Sequence, residues 1–109
     1  MEKNIKEKAI PQEHRAVYEV IANHSDKYIT RKLIISKLGR TSDYGRRLSE
    51  IIYELVVKYG IPIGSSSAEG KKGYFIIENT NDLRVAKRDL SSRTFSMNQR
   101  IDALEKIKI

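Results

Sequence analysis

The residues with chemical reach lie close together in this chain. Between Thr41 and Arg47 it reads Thr-Ser-Asp-Tyr-Gly-Arg-Arg, with Ser49 and Glu50 one turn further on. An arginine fork grips the O6 and N7 of guanine, and serine or threonine hydroxyls bond a base or a phosphate. Thr41, Ser42, Arg46 and Arg47 are therefore candidates for contact with double-stranded DNA. Tyr44 offers a hydroxyl to phosphate and a ring to a thymine methyl. Just upstream, Arg31, Lys32, Lys37 and Arg40 are candidates for phosphate contacts, which set position without reading sequence. Lys71 and Lys72 close a Gly/Ser-rich loop and would reach the minor groove or its phosphates.

Other chemistries find no support. The loop from Gly64 to Gly73 is not a P-loop: Gly64 and Gly70 enclose five residues instead of four, and Lys71 is followed by Lys72, not Ser or Thr. Ser65-Ser66-Ser67 has no neighbouring base and no nucleophile-elbow pattern. Cysteine is absent, which removes disulfides, zinc fingers and thiol nucleophiles. Two histidines, His14 and His24, cannot build a histidine-rich metal site. The expectation is no enzyme, no cofactor and no metal.

Composition agrees. The chain has 109 residues, one domain's worth, with 21 Lys and Arg against 14 acids and a net charge of +7. Residues 27 to 47 hold seven bases and one acid, so nearly the whole excess lies there. A basic segment embedded in a folded region points to nucleic acid. No apolar run approaches the roughly 20 residues of a transmembrane helix, and the first ten residues lack the apolar stretch of a signal peptide. No membrane association and a cytoplasmic location are expected.

The elements that must position these residues can be read from periodicity. Residues 1–9 alternate in charge and form a flexible arm. Pro11 suits a helix's first turn, and Val17, Val20 and Ile21 make one stripe, giving a helix from about Pro11 to Asn23. Tyr28-Ile29 is a short extended piece. Thr30 caps a second helix carrying Leu33, Ile34 and Leu38, and Gly39 ends it. After a short turn, Thr41 or Ser42 caps a third helix, with Asp43 complementing its N-terminus. Its stripe of Leu48, Ile51, Ile52, Leu55 and Val56 is the clearest in the sequence, and Gly60 stops it. Ile61–Ile63 and Tyr74–Ile77 then flank the loop as a β-hairpin. The fold expected is mainly α with a small β-hairpin: a winged helix-turn-helix over residues 10–78, followed by a C-terminal helix over 79–109. Thr80 or Asn81 caps that last helix. Leu83, Leu90, Met97 and Leu104 recur every seven residues, with Ile101 adjacent, and make a dimerisation stripe. Lys87, Thr94 and Lys108 are poor zipper residues, and Ser91-Ser92 could break the helix; one long helix is the reading taken.

From Tyr28 to Ile77 the chain resembles the winged-helix domain of the biotin-protein ligase repressors, most of all in Gly-Ile-Pro-Ile-Gly-Ser-Ser-Ser-Ala-Glu-Gly-Lys-Lys-Gly-Tyr-Phe-Ile. It resembles more closely the small winged-helix proteins of phages and prophages. Those pair such a wing with a downstream Arg-x-x-Ala-Leu, here Arg100 to Leu104. The extra lysine at 71–72 and the longer serine tip depart from that wing. The ligase activity does not carry over, since no catalytic domain is present. The phage resemblance implies DNA binding in replication, lysogeny control or recombination inside a bacterial host cell. The leading expectation is a homodimer on double-stranded DNA. The alternative is a protein-interaction module whose last helix docks a replication or regulatory partner.

Overall fold

The computed structural model describes residues 10–106. The expected arm over 1–9 and the last three residues lie outside them. Helix α1, Gln12–Ala22, follows Pro11, which sits one position earlier than expected, as the N-cap in extended conformation. It buries His14, Val17 and Ile21 against the core, with Val20 packed beside them.

Helix α2, Arg31–Lys37, starts where Thr30 Oγ1 accepts a bond from the Leu33 N–H at 3.2 Å. It ends where Gly39 turns to φ +72. There Gly39 N–H donates to Ser36 O and Arg40 N–H to Ile35 O, so two otherwise orphaned carbonyls are satisfied. The helix buries Ile34 and Ile35, whereas Leu33, expected in the stripe, is 37% exposed. Only one side of this two-turn helix meets the core, and Ile35 takes that place.

A 3-10 turn, Ser42–Tyr44, leads straight into α3, Gly45–Val57. Neither Thr41 nor Ser42 caps the α-helix: Thr41 precedes the 3-10 turn without a side-chain cap bond, and α3 begins only at Gly45, after Tyr44. Leu48, Ile51 and Leu55 are wholly buried and Ile52 nearly so; Val56, at the edge of the stripe, is 39% exposed. Each such burial stabilises by about 1.5–3 kcal/mol, which is why this face orients the helix. Gly60 at φ +70 stops the chain, and Ile61 N–H bonds back to Leu55 O.

Strands β1, Ile63–Ser66, and β2, Gly73–Ile76, pair antiparallel with Ile63 opposite Ile76 and Ser66 opposite Gly73. The first strand therefore lies later than the expected Ile61–Ile63. Ile61 is spent on the helix end, and Pro62 has no N–H for a ladder. Ile29 forms an isolated bridge to Tyr74, with Ile29 N–H donating to Tyr74 O and Tyr74 N–H to Ile29 O. This confirms the extended piece at Tyr28-Ile29.

Helix α4, Thr80–Glu105, is one unbroken helix. Its cap is Asn79, not Thr80 or Asn81: Asn79 Oδ1 accepts from the Asp82 N–H at 2.8 Å. The first turns pack on β1 through Ala86. Gly64 makes this possible, because a Cβ there would stand 2.7 Å from Phe75 Cζ and 2.8 Å from Ala86 Cβ. Lys27 ties the root of the helix to the body through Asp82 at 2.7 Å, which holds the Asp82 carboxyl below its usual range. From Ser91 to Lys106 every residue is exposed, and the molecule measures 52 × 33 × 30 Å. No described helix is long and apolar enough to cross a membrane.

Candidate nucleic-acid interface

Three separate stretches of chain bring their bases to one end of the molecule. The first joint is between β2 and α2. Gly73, at φ +124, lies against the Ile29 carbonyl and Thr30 N. Lys72 precedes that contact directly, and Arg31 and Lys32 follow it on the other strand of the bridge. The second joint is between α2 and α3: Arg31 Nη2 donates to Gly45 O at 2.7 Å and lies flat against the bare Gly45 backbone. Arg46 is the next residue. An open groove of about 480 Å³ lined by Arg31, Lys32, Ile35, Ser36, Arg40 and Ser42 runs along this end. Three of these side chains, Arg31, Lys32 and Arg40, are cationic, so the groove's field favours anions.

The expected site residues fall into two groups. Lys32, Lys37, Arg46, Lys71 and Lys72 are exposed, and among the described residues none has a carboxylate partner. Arg40 stacks over the Tyr44 ring, 4.8 Å from its centroid. Ser42 lines the groove, and Thr41 Oγ1 bonds the Asp43 carboxylate.

Arg47 and Tyr44 belong to the second group, which is occupied within the chain. Glu13 on α1 accepts from Arg47 Nη2 at 2.8 Å and from the Tyr44 hydroxyl at 2.5 Å. Arg47 also reaches Glu50 at 3.2 Å. These two donors, Arg47 first, drag the Glu13 pKa from 4.5 to about 2. Burial, with Glu13 beside it, pushes the Tyr44 hydroxyl up. The pair thus fastens α1 to the start of α3 and sets the angle at which that turn is presented. Arg31, likewise, is spent in part on Gly45.

Sequence reasoning missed Glu13, since nothing local links it to residues 31 and 34 positions away. It missed Asp89 for the same reason. Asp89 accepts from Ser65 Oγ at 3.1 Å, from Ser67 Oγ at 2.9 Å and from Arg93 at 2.5 Å, and so fixes the hairpin to α4. It also missed His14. That ring is 4% exposed and donates from Nε2 to Glu54 at 2.6 Å, with Nδ1 buried and unbonded. Glu54 is held below its usual range by that bond. Among the described residues no group of three His, Asp or Glu is placed to hold a metal ion.

The expected dimerisation residues are all exposed on α4: Leu83 42%, Leu90 57%, Met97 59%, Ile101 52% and Leu104 66%. No protein-family model, no curated protein and no solved structure matches this chain.

Proposed function

We propose that the chain is a winged helix-turn-helix protein that binds double-stranded DNA as a homodimer, encoded by a phage or mobile element and acting in replication or transcription control. The observation that carries the reading is the convergence of bases from α2, the start of α3 and the β2 side of the hairpin on one end. In this reading the first turn of α3 enters the major groove, with Arg46 and Ser42 toward base edges. Lys32, Lys37 and Arg40 hold phosphates, and Lys71 and Lys72 at the hairpin tip reach the flanking minor groove. Arg47 and Tyr44 take a positioning role through Glu13. Exposed α4 joins two copies and sets the spacing of their half-sites.

The test is selection from random double-stranded DNA with sequencing, followed by affinity at two salt concentrations. An enriched palindrome with half-sites about ten base pairs apart is expected. The five bases Lys32, Lys37, Arg40, Lys71 and Lys72 correspond to a loss of about 500-fold between 50 and 200 mM salt. Absence of any DNA binding at low salt would overturn the reading.

A further inference from the structure

The C-terminal half of α3, β1 and the root of α4 enclose a second open groove, of about 450 Å³, along the edge of the buried stripe of α3. Its walls are largely apolar: Ile52, Tyr53, Val56, Val57, Ile63 and Leu90. Tyr53 and Val57 are 65% and 63% exposed. Side chains of this kind seldom stay wet when they line a groove. Two arginines, Arg31 and Arg93, stand at its edge, and among the described residues no carboxylate lines it.

The same chain carries a surface of matching form that its own body cannot use. Met97, Ile101 and Leu104 sit within about 60° of one another around α4, at ~100° per residue. They span ~10 Å along the helix, against ~12 Å for Ser49 to Val57 along the groove wall. Glu105 borders this stripe on one side and Arg100 on the other, each ~40° from its edge. Because α4 is unbroken, the stripe lies beyond the body and ends ~21 Å past Leu90. A free helix of about 15 residues containing Ser91, Ser92, Thr94 and Asn98 is marginal in water and needs a packing surface.

We propose that the α3–α4 groove receives the Met97–Leu104 stripe of a second copy of this chain, in a two-fold dimer where each copy fills the other's groove. Leu90 belongs to both surfaces, so groove and stripe are continuous and the exchange closes on itself. Glu105 meets the arginine-edged groove. The groove opens beside Tyr53 and Val57, away from Arg46 at the other end of α3; of the residues lining the basic groove it shares Arg31 and no other. The inference rests on the homodimer proposed above and not on DNA binding.

The absence of cysteine makes the test direct. Full-length Val57→Cys and Ile101→Cys chains, mixed and treated with a short bis-maleimide, should give a cross-linked pair of twice the chain mass. Each variant by itself should give at least tenfold less. Leu104→Glu, at an exposed position, should keep its circular dichroism and weaken dimerisation at least tenfold by sedimentation. Strong self-cross-linking of Ile101→Cys chains would leave the dimer standing and overturn the groove. A Val57→Cys/Ile101→Cys double variant that cross-links only within one chain would show a folded-back helix and also overturn it. A strict monomer at every concentration would overturn groove and dimer together. DNA binding measured on the same samples reports separately on the basic end.

Discussion

Replacing Gly73 by alanine tests the joint that brings the hairpin to α2. Gly73 has φ +124, where an L side chain costs about 1–3 kcal/mol. Its Cβ would also come to 2.3 Å from the Ile29 carbonyl oxygen, which is backbone and cannot swing aside. The hairpin must then retreat, and the two bonds between Ile29 and Tyr74, at 3.0 and 2.8 Å, lengthen or break. At about 1 kcal/mol for each bond, the loss comes to about 3–5 kcal/mol. Gly70 is the matched control. Its φ is +78, but nothing lies within 4 Å of the added carbon. Strain by itself, about 1 kcal/mol, is expected there. Urea titration followed by far-UV circular dichroism gives both values, with the slope unchanged in each. In thermal melts the difference is on the order of 15 °C for Gly73→Ala against about 5 °C for Gly70→Ala. Equal losses in the two variants would refute the argument that the Ile29 contact governs the hairpin.

Three further outcomes are expected. The Glu13 pKa is lowered in the fold, so its stabilisation is present above about pH 4.5 and lost as pH falls toward 2; the deficit of Glu13→Gln in urea midpoint, under ~1 kcal/mol at pH 7 because the group is partly exposed, should shrink from pH 5 to pH 3, and a deficit independent of pH would contradict the pairing. Asn79→Ala should cost about 1 kcal/mol in the same titration through loss of the cap on α4, whereas Asn81→Ala, outside the cap, should cost a few tenths. In DNA binding, Arg46→Ala should remove preference for a selected site, while Lys71→Ala should weaken all duplexes alike and reduce the salt slope by about 0.9; parallel effects of the two would sink that division of roles.

Local rules made much of this fold legible. The α3 stripe, the Thr30 cap, Gly39 and Gly60 at helix ends, and the continuous last helix all follow from periods and caps within a few residues. What escaped depends on pairing across the chain. Ser65 and Ser66 have no strand propensity, yet they enter the ladder because Tyr74 and Gly73 lie opposite and Asp89 takes the Ser65 hydroxyl. Asn79 outcompeted Thr80 and Asn81 as cap because Lys27 and the Glu78 N–H fix Asp82 at the third position beyond it. At the basic end, charge clustering marked the segment but not the allocation within it. Arg46 and Arg47 are indistinguishable in sequence; only the arrival of Glu13 from α1 occupies one and leaves the other open. Lys27, counted with the same cluster, is consumed at the root of α4.

The bonds from Asp89 to Ser65 and Ser67 have a mechanical side. They fasten the hairpin to α4 just where the helix leaves the body, so the helix is a lever with its fulcrum there. The free arm runs ~22 Å from Asp89 to Leu104, while the hairpin is held immediately at the pivot. In the DNA-binding reading proposed above, whatever grips the outer turns of α4 would pull first on the hairpin that carries Lys71 and Lys72.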